Sequence, residues 1–568
     1  MGPRPLNHHN EPKLPVHIVE DKAKWIGDHT FMRYPPKDWE TKGYRTLTWA
    51  GYADAVNKVA YWLDEQLGKS VEDDTIAYLG PADPRYSVLL LALVKTGRKF
   101  LIPDGRVTDE GLNELLGDTG CKAWIYAEDD ASGPPQTLDP SIKLCALPSV
   151  EWCLDAKGHQ RYPYDKVWGE GKYDEIVVIH TSGTTVLNRR AGTPRPIYHT
   201  NGFYTAGRGH ELSRRHWPRG IAYDTWIGQS VLSSCPPQWL GGVSAFIMMP
   251  IVDDTSSIMP PADMIGLPPA VFKKVVEANV VDGIMCPPHT IVQLYNDPET
   301  QPLLKSLNFI IYLGAALDRA IGDDLCECTK LTSVIGSTET GKQIDLLPID
   351  KKLWYTHDYV PENGHRMVHI PGSGEAEDGS EDMYELVIER PKGGEENHFQ
   401  CAFWNPVFRN RDRIETKEMY APIKDLDGRM RWIFSARKDD LTKLNWLAKF
   451  HAQDIETRIQ QHQDVSSVFV GGEGRPAPYV IVEPHHGVLD AKSADALLDE
   501  LWSGVITRTN DKGFKEIRIP KETVFVAKPA KPFKRSNKQT LMRKEIEKDY
   551  THEIEEAYSR LAEVEVTA

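Results

Sequence analysis

Three short segments carry residue types suited to phosphate chemistry: HTSGTT (180–185), GSTETG (336–341) and SNKQT (536–540). Glycines leave backbone N–H groups free to surround a phosphate, and small hydroxyls add further donors. A carboxylate such as Glu339 suits Mg²⁺ beside triphosphate oxygens, whereas Lys538 offers a positive charge. Each segment alone has an ordinary explanation, as a strand-to-helix turn, a helix cap or a solvated basic surface. Their joint occurrence predicts a phosphate site, although GxxxxGK[ST] is missing from the first segment.

The surrounding pattern predicts the elements that would position these segments. Residues 47–67 repeat apolar positions at helical spacing, namely Tyr52, Val56, Val59, Ala60 and Leu63. Helices and apolar strands then alternate, which indicates parallel sheets covered by helices on both faces. Ligands of such folds bind at the carboxyl ends of strands. HTSGTT and GSTETG both follow a strand directly. The predicted strands are 73–80, 99–103, 121–127, 175–180 and a short one at the start of KLTSVIGSTETG (330–341), and a helix is predicted at 87–97.

Composition excludes several classes of function. The chain has 568 residues, 40% of them hydrophobic, which is enough for several cores. A net charge of −15 argues against binding to nucleic acid or to anionic membranes. The apolar run 88–94 is too short to span a bilayer. Eight scattered cysteines without a CxxC pair are interpreted as reduced packing thiols. We therefore expect a cytoplasmic protein.

A change of pattern predicts two domains. Beyond residues 436–440 the chain becomes a short α+β module, with a helix at 452–463, strands at 465–472 and 477–484, and a helix at 491–508. We predict an N-terminal domain of residues 1–436 and a C-terminal domain of residues 437–568.

The motifs resemble those of the adenylate-forming superfamily, which includes acyl-CoA synthetases, luciferases and the adenylation domains of peptide synthetases. The resemblance covers nearly the whole chain and is strongest for fungal peptide-synthetase-like carboxylate reductases. It rests on HTSGTT with GTPRPI (192–197), YLGAALDRAI (312–321), GSTETG, RKDD (437–440) and KQT (538–540). It implies an α/β fold: a large N-terminal domain of helix-covered sheets plus a small β-barrel, followed by a small, mobile α+β C-terminal domain.

The resemblance also implies roles for residues of these motifs. Lys538, Glu339 and Thr338 would be catalytic, Glu339 and Thr184 would hold Mg²⁺, and Asp439 would be the hinge. The nucleotide would be bound by Thr181, Ser182, Gly183, Thr184, Thr185, Gly314, Ala315, Ala316, Gly336, Ser337, Glu418 and Arg437.

The implied reaction has two steps. A carboxylate attacks the α-phosphorus of ATP to give an acyl-adenylate, and a thiol then captures the acyl group as a thioester. The acceptor would be the phosphopantetheine thiol of a carrier domain, in cis or in trans, or CoA. The last residues resemble the lead-in to a carrier domain, which favours an excised adenylation domain. A stand-alone acyl-CoA ligase and a catalytically impaired nucleotide-binding homologue are the alternatives.

The substrate expectation comes from residues 235–242, CPPQWLGG. Amino-acid-activating relatives carry an Asp around the position of Trp239 to pair with the α-amino group, and this segment has no acid. A buried ammonium without a partner is costly, so we expect a carboxylic acid that lacks an α-amino group. The candidate pocket residues are Trp239, Gly242, Leu313 and Thr340; Trp239 could equally be a core aromatic.

Several positions depart from the family pattern. The usual Thr-Gly-Asp is Thr416-Lys417-Glu418, and the glycine of the lysine motif is Gln539. In LNWLAKF (444–450), a bulky residue stands where relatives often have a glycine that lines the pantetheine tunnel. These changes affect nucleotide affinity and the thiol step.

The phosphate loop is interrupted by six residues, VLNRRA (186–191). We interpret them as a neutral, mobile bulge, because lengthening a flexible loop costs at most about 1 kcal/mol in closure entropy. The alternative is that Arg189 and Arg190 add phosphate contacts.

Overall fold

The architecture is taken from a computed structural model. The structure describes residues 12–567 apart from 71–72, 106, 182–193, 207–218, 263–265, 371–382, 391, 393–398, 438–440, 445–448, 513–517 and 536–540. The chain divides into two compact units. The first comprises residues 1–366, 387–414 and 423–433, and the second comprises 367–386, 415–422 and 434–568.

The strands are listed here in chain order. They are β1 (Thr30–Tyr34), β2 (Arg45–Thr48), β3 (Thr75–Leu79), β4 (Lys99–Leu101), β5 (Cys121–Ala127), β6 (Lys143–Leu147), β7 (Glu175–Thr181), β8 (Arg195–Thr200), β9 (Ser230–Ser233), β10 (Ser256–Ile258), β11 (Gly283–Cys286), β12 (Phe309–Leu313), β13 (Lys330–Val334), β14 (Gly336–Ser337), β15 (Gly341–Lys342), β16 (Thr356–His357), β17 (His365–His369), β18 (Tyr384–Glu389), β19 (Arg413–Lys424), β20 (Met430–Arg437), β21 (Leu441–Lys443), β22 (Lys449–His451), β23 (Val465–Gly471), β24 (Tyr479–Pro484) and β25 (Val524–Val526).

The helices follow the same order. They are α1 (Pro15–Trp25), α2 (Trp39–Lys42), α3 (Trp49–Leu67), α4 (Arg85–Lys95), α5 (Asp109–Asp118), α6 (Val150–Leu154), α7 (Trp168–Gly171), α8 (Asn201–Thr205), α9 (Leu240–Val243), α10 (Met249–Asp253), α11 (Pro269–Ala278), α12 (Pro288–Asn296), α13 (Gln301–Ser306), α14 (Arg319–Cys328), α15 (Ala452–Gln460), α16 (Val488–Ala491), α17 (Ala494–Leu501), α18 (Thr507–Lys512), α19 (Arg543–Asp549) and α20 (Thr551–Thr567).

A six-stranded sheet of order β6-β5-β3-β4-β7-β8 carries the strand that leads into HTSGTT. Alternate residues of β7 belong to two different apolar clusters: Val177 and Ile179 to one, Val178 to the other. Both faces of the sheet are therefore buried, as expected for parallel strands with helices on each side. The edge strand β8 runs antiparallel to β7, which the sequence pattern did not predict.

A seven-stranded sheet of order β13-β12-β11-β9-β10-β1-β2 carries the strands that precede the other site segments. Phe309 and Ile311 of β12 share their apolar cluster with Val177 of the first sheet, whereas Ile310 and Tyr312 belong to a separate cluster. One core therefore serves both sheets, and the second sheet has its own core on the opposite face.

Helix α3 shows how the sequence specifies its elements locally. Thr48 caps its first turn, because the Thr48 Oγ1 accepts a hydrogen bond from the Gly51 N–H at 3.2 Å. The apolar residues predicted for one helix face are all buried: Tyr52, Val56, Val59, Ala60 and Leu63. The predicted helix of residues 47–67 is confirmed.

Residues from Thr356 to Arg437 contribute a five-stranded sheet of order β16-β20-β19-β18-β17. In the second unit, a three-stranded sheet of order β23-β24-β25 packs with helices around its own apolar cluster, in which Ile459, Leu497 and Leu501 are fully buried. The mixed α/β architecture with a large N-terminal and a smaller C-terminal part confirms the predicted fold class. In the part of the chain that the structure describes, no helix is both long and apolar enough to cross a membrane.

Candidate active site

The segment GSTETG forms a tight hairpin. Gly336 and Ser337 of β14 pair antiparallel with Lys342 and Gly341 of β15. The Thr340 N–H donates to Ser337 Oγ at 3.0 Å, and the two hydroxyl oxygens of these residues lie 2.9 Å apart. A side chain at position 336 is excluded, because its Cβ would lie 2.2 Å from the Gly341 carbonyl oxygen. The hairpin therefore presents Thr338 and Glu339 at its turn.

Two buried side chains hold the backbone of this turn. His199 of β8 places its Nε2 2.7 Å from the Thr338 carbonyl oxygen and its Nδ1 2.8 Å from the Tyr204 hydroxyl. Asn405 donates from Nδ2 to the Glu339 carbonyl oxygen at 2.9 Å. Both His199 and Asn405 are fully buried. The positions of Thr338 and Glu339 are thus fixed from the protein interior.

The protonation of His199 follows from its surroundings. Burial lowers the pKa of this imidazole to about 4, so the ring is neutral at pH 7. A neutral imidazole carries a single N–H. That proton is on Nε2, since only a donor can bond to the Thr338 carbonyl, and Nδ1 accepts the hydroxyl proton of Tyr204. The ring also stacks on Phe203 at a centroid distance of 4.0 Å.

Glu339 has the properties expected of a metal ligand. Its side chain is half-buried, and no described residue donates a hydrogen bond to its carboxylate or forms an ion pair with it. A carboxylate oxygen is a ligand type that Mg²⁺ prefers. Glu339 therefore fits the predicted metal role, whereas Thr184 lies outside the described residues.

The loop after β12 leaves the second sheet at the same edge as the hairpin. β12 and β13 are parallel neighbours, with Leu313 opposite Val334, so their carboxyl ends lie side by side. Gly314, with a φ of +89°, turns the chain, and the loop residues Ala315 and Ala316 are exposed. This exposed backbone is available to a ligand, as the predicted nucleotide role of Gly314, Ala315 and Ala316 requires.

Trp239 lies just before helix α9 and is tied to a carboxylate from another element. Its indole Nε1 donates to Asp104 Oδ2 at 3.1 Å. The Asp104 N–H in turn donates to Nε2 of His180, the residue before Thr181, at 2.9 Å. An acid thus contacts the predicted substrate residue, although segment 235–242 itself contains none.

The other candidate pocket residues have different surroundings. Gly242 is buried, and a Cβ there would lie 2.0 Å from the Pro236 carbonyl oxygen, so its glycine is required by packing. The Thr340 hydroxyl is engaged with Ser337 and with the Gln343 amide. Leu313 is half-buried at the end of β12, where it approaches Gly241. Their roles toward a substrate stay predictions.

Glu418 lies on β19 in the Thr416-Lys417-Glu418 segment. Its carboxylate accepts a hydrogen bond from the Tyr420 hydroxyl at 3.1 Å, and its N–H donates to Thr416 Oγ1 at 3.1 Å. Lys417 has a φ of +62°, a left-handed conformation that favours glycine. Lysine thus stands at the position of the family's glycine in a backbone conformation that favours glycine.

The remaining predicted residues lie mostly outside the described part of the chain. Arg437 ends β20, and its side chain is not described. Those outside the described residues are Ser182, Gly183, Thr184, Thr185, the insert 186–191, Asp439 and Lys538.

The residues that flank the Lys538 segment are described. Arg535 and Leu541 form a β-bridge across it, and the Met542 N–H donates to the Lys534 carbonyl at 2.9 Å. Arg535 donates to Ser467 Oγ at 2.6 Å and pairs with Glu483 at 2.5 Å. Arg535, the residue before segment 536–540, is therefore joined to β23 and β24.

Asp104, His199 and Asn405 were not identified from the sequence. Each acts through a partner far away in the chain: Asp104 and Trp239 are 135 residues apart, and His199 and Thr338 are 139 apart. The only local signal is that Asp104 directly follows the predicted strand 99–103, whereas His199 lies within β8, which was not predicted.

Comparison with known proteins agrees with this geometry. Residues 19–363 match the AMP-binding enzyme family, and residues 439–562 match the AMP-binding enzyme C-terminal domain. The carboxylic acid reductase of Neurospora crassa is 27% identical over 561 residues, which cover 96% of this chain and 50% of the reductase. The isocyanide synthase-NRPS hybrid crmA of Aspergillus fumigatus is 26% identical, over 91% of this chain and 31% of its own length.

The fold is shared with solved structures. The anthranilate CoA ligase AuaEII in complex with anthranoyl-AMP superposes with a TM-score of 0.69 at 14% identity, covering 95% of this chain and 97% of the ligase. The chain spans half or less of the length of the two curated relatives above. Because the match at residues 19–363 covers more than half of the 568-residue chain, the chain belongs to the AMP-binding enzyme family of adenylate-forming enzymes.

Proposed function

We propose that this chain activates a carboxylic acid as its acyl-adenylate with Mg·ATP and passes the acyl group to the phosphopantetheine thiol of a carrier domain. The observation that carries the proposal is the Thr338–Glu339 turn. It is held from the interior by His199 and Asn405, while the Glu339 carboxylate has no described partner. The turn follows β13, beside the exposed backbone of Gly314–Ala316, at the carboxyl edge of one sheet.

In the first step, a substrate carboxylate oxygen attacks the α-phosphorus, and the bond from the α-phosphorus to the bridging oxygen breaks to release pyrophosphate. Such a displacement depends mainly on positioning and charge neutralisation. Glu339 and Thr184 would hold Mg²⁺, which neutralises phosphate charge. Residues 181–185 would surround the pyrophosphate, Gly336, Ser337 and Thr338 would contact phosphate oxygens, and Lys538 would stabilise the charge at the α-phosphate and carboxylate.

The remaining nucleotide contacts fall on the ribose and base. Gly314, Ala315 and Ala316 would lie against adenine, and Glu418 would accept the ribose hydroxyls with Arg437 beside them. The Glu418 carboxylate uses one oxygen for Tyr420, and its second oxygen keeps acceptor capacity.

In the second step, the thiol attacks the acyl carbon, the mixed anhydride breaks, and AMP leaves. The C-terminal domain of residues 437–568 would move about Asp439 between the steps. A carrier thiol is favoured over CoA because both curated relatives named above are at least twice the length of the matched region, and one is a peptide-synthetase hybrid. CoA is the alternative acceptor, since the ligase AuaEII has the same fold.

The substrate class we propose is a carboxylic acid without an α-amino group. The family resemblance implies that Trp239 stands where amino-acid-activating relatives carry the acid for the α-amino group; its indole N–H is engaged with Asp104. Trp239, Gly242, Leu313 and Thr340 are the proposed residues around the acyl group.

The test is acid-dependent ATP–pyrophosphate exchange across aryl, α-keto, fatty and amino acids. We expect exchange with one class of acid, and a decrease of about 100-fold or more in Glu339→Gln and Lys538→Ala, because each removes preorganised transition-state stabilisation. Glu299→Gln is the matched control: its carboxylate is 68% exposed and pairs with Lys273, so exchange should not change.

Other outcomes separate the alternatives. AMP release that needs only CoA would identify a stand-alone acyl-CoA ligase, whereas release that needs a phosphopantetheinylated carrier supports the proposal. ATP binding without exchange, in the full chain and in a variant lacking residues 186–191, would contradict catalysis and identify a nucleotide-binding homologue.

A further inference from the structure

The segment of residues 405–413, NPVFRNRDR, presents positive charge on a strongly acidic protein. It carries Arg409, Arg411 and Arg413, and all three are exposed. Asp412 is the one acid in this segment, whereas the whole chain has a net charge of −15. We call this segment the arginine loop. A local charge opposite to that of the whole protein attracts an acidic partner in a particular orientation.

Arg390, which follows β18, fixes the shape of the arginine loop. Its guanidinium donates to the carbonyl oxygens of Arg409 and Arg411; the bonds to Arg411 are 3.2 Å from Nε and 2.9 Å from Nη2. Its Cζ lies 4.4 Å from the centre of the Phe403 ring. Arg390 also pairs with Asp412 at 3.8 Å, so the acid of the loop is engaged by a residue outside it.

The side chains of Arg409 and Arg411 keep their hydrogen-bond donors available. The Arg409 Cζ lies 3.5 Å from the centre of the Tyr173 ring, which packs on Trp404 at a centroid distance of 5.2 Å. Stacking occupies the face of a guanidinium and leaves the N–H groups in its plane free to bind carboxylates. The Arg411 Cζ lies 5.8 Å from the centre of the Phe408 ring. Neither guanidinium forms an ion pair with a residue that the structure describes.

The arginine loop begins at a residue of the candidate active site. Asn405 donates from Nδ2 to the Glu339 carbonyl at 2.9 Å. The preceding carbonyl, that of Trp404, accepts a hydrogen bond from Thr200 Oγ1 at 3.0 Å. Four residues of extended chain span at most about 15 Å, so the Cα atom of Arg409 lies within that distance of Asn405. A partner bound to the loop is therefore close to the turn that carries Glu339.

We propose that the arginine loop is the docking surface for an acidic face of the carrier domain that supplies the thiol. The inference rests on the proposed function and deepens it, since it names where the acyl acceptor binds. Carboxylates of the partner pair with Arg409 and Arg411, while the net charge of −15 disfavours other orientations. The matched region makes up half or less of the Neurospora crassa reductase and of crmA, so further protein is joined to it in both relatives.

The test measures the second step with three thiols: pantetheine, CoA and a phosphopantetheinylated peptide-synthetase carrier domain rich in Asp and Glu. The arginine variant combines Arg409→Glu with Arg411→Glu. The control, the lysine variant, combines Lys122→Glu with Lys157→Glu and changes the net charge equally. Both lysines are exposed, and neither forms an ion pair within the described residues.

We expect the arginine variant to lower kcat/KM for the carrier domain at least about 10-fold, because it places negative charge against an acidic partner. Transfer to pantetheine and pyrophosphate exchange should keep their wild-type rates, and the lysine variant should match the wild-type protein throughout. At 1 M salt the Debye length is about 3 Å, so the effect of the arginine variant should largely disappear. An effect that persists at 1 M salt would show lost packing in place of lost charge and would contradict the proposal.

Equal kcat/KM values for the carrier domain in the arginine and lysine variants would overturn the proposal. A fall with CoA as large as that with the carrier domain would overturn it as well, because the arginines would then serve the phosphates of CoA. If the arginine variant also loses pyrophosphate exchange, Arg411→Glu alone decides, since this side chain lies farther from its ring. Its kcat/KM for the carrier domain must then fall below that of Lys122→Glu, and an equal value would refute the docking surface.

Binding can also be measured without turnover. The same carrier domain, labelled with fluorescein and lacking its phosphopantetheine, is titrated with each protein while its fluorescence anisotropy is followed. We expect a Kd at least about 10-fold higher for the arginine variant than for the lysine variant. Equal Kd values, or no binding to the wild-type protein, would contradict the proposal. If no acid supports pyrophosphate exchange, the proposed function fails, and this titration still decides whether the arginine loop binds an acidic protein.

Discussion

The role assigned to His199 can be tested by removing its hydrogen bonds while keeping its aromatic packing. His199→Phe retains a ring against Phe203 but leaves the Tyr204 hydroxyl without its acceptor and the Thr338 carbonyl without its donor. A buried polar group left unpaired costs about 1–3 kcal/mol. The Thr338 bond lies near the surface and adds about 1 kcal/mol, so we expect the free energy of unfolding to fall by about 2–4 kcal/mol.

Tyr204→Phe is the matched control. It breaks the same bond between Tyr204 and His199 but leaves His199 able to donate to Thr338. Its cost should be about 1–3 kcal/mol, measured by urea denaturation. If the Thr338 bond positions the turn, pyrophosphate exchange should fall about 10-fold in His199→Phe, equivalent to about 1.4 kcal/mol in the activation barrier, and much less in Tyr204→Phe. Equal exchange rates in the two variants would refute the reasoning.

The pH dependence of stability gives an independent check on the same histidine. Burial lowers the pKa of His199 from 6.5 to about 4. Between these values the unfolded chain binds a proton that the folded protein does not, so stability falls as the pH falls from 6.5 to about 4 and is unaffected by this group above 6.5. The gap in unfolding free energy between the wild-type protein and His199→Phe should therefore narrow by about 3 kcal/mol from pH 7 to pH 4. A constant gap would contradict a buried neutral ring.

Two further predictions concern the second unit. Lys417→Gly should be about 1 kcal/mol more stable than Lys417→Ala, because both variants lose the lysine side chain and only glycine relieves the left-handed conformation. Lys424→Gly on the same strand should be about 0.5–1 kcal/mol less stable than Lys424→Ala in urea titrations; a less stable glycine variant at both positions would argue against strain at position 417. Arg535→Gln should slow pyrophosphate exchange by about 10- to 100-fold, because Lys538 would be misplaced. The control Lys534→Gln loses only half-exposed ion pairs and should not change the exchange rate. If the two variants exchange at the same rate, Arg535 does not position the segment that carries Lys538.

The elements of the fold were largely predictable because their signals are local. Short apolar segments between helices indicated the strands, and β5 was predicted at its observed bounds, Cys121–Ala127. The helical spacing of apolar residues identified α3, and these residues lie buried on one face of the helix. The antiparallel pairing of β8 was missed, because strand direction depends on the connection through residues 182–193 rather than on any periodicity within the strand.

The candidate site was predicted only where its residues lie in short motifs. The segment that contains Glu339 was identified from six consecutive residues as a loop, and its hairpin pairing is seen only in the structure. Its supports were not, since His199 and Asn405 come from other elements and meet it only in the folded chain. The same limit explains why Asp104 was missed. The sequence analysis looked for an acid within residues 235–242, whereas Asp104 comes from the loop after β4.

The ion pair between Lys342 and Asp253 also bears on which residue supplies a positive charge in the proposed reaction. Lys342, the cation nearest to the Glu339 turn in sequence, has its Nζ 3.2 Å from Asp253 Oδ2 and 4.3 Å from the centre of the Tyr223 ring. Burial is the largest single influence on Lys342 and lowers its pKa, but the charge of Asp253 and the Tyr223 hydroxyl together outweigh burial and raise the pKa above the usual lysine value. Asp253 is fully buried, so withdrawing Lys342 toward a phosphate would leave an uncompensated carboxylate, at a cost of about 3–5 kcal/mol. Lys342 therefore stays with Asp253, and the proposal that Lys538 supplies the cation for the α-phosphate is preferred to one that uses Lys342.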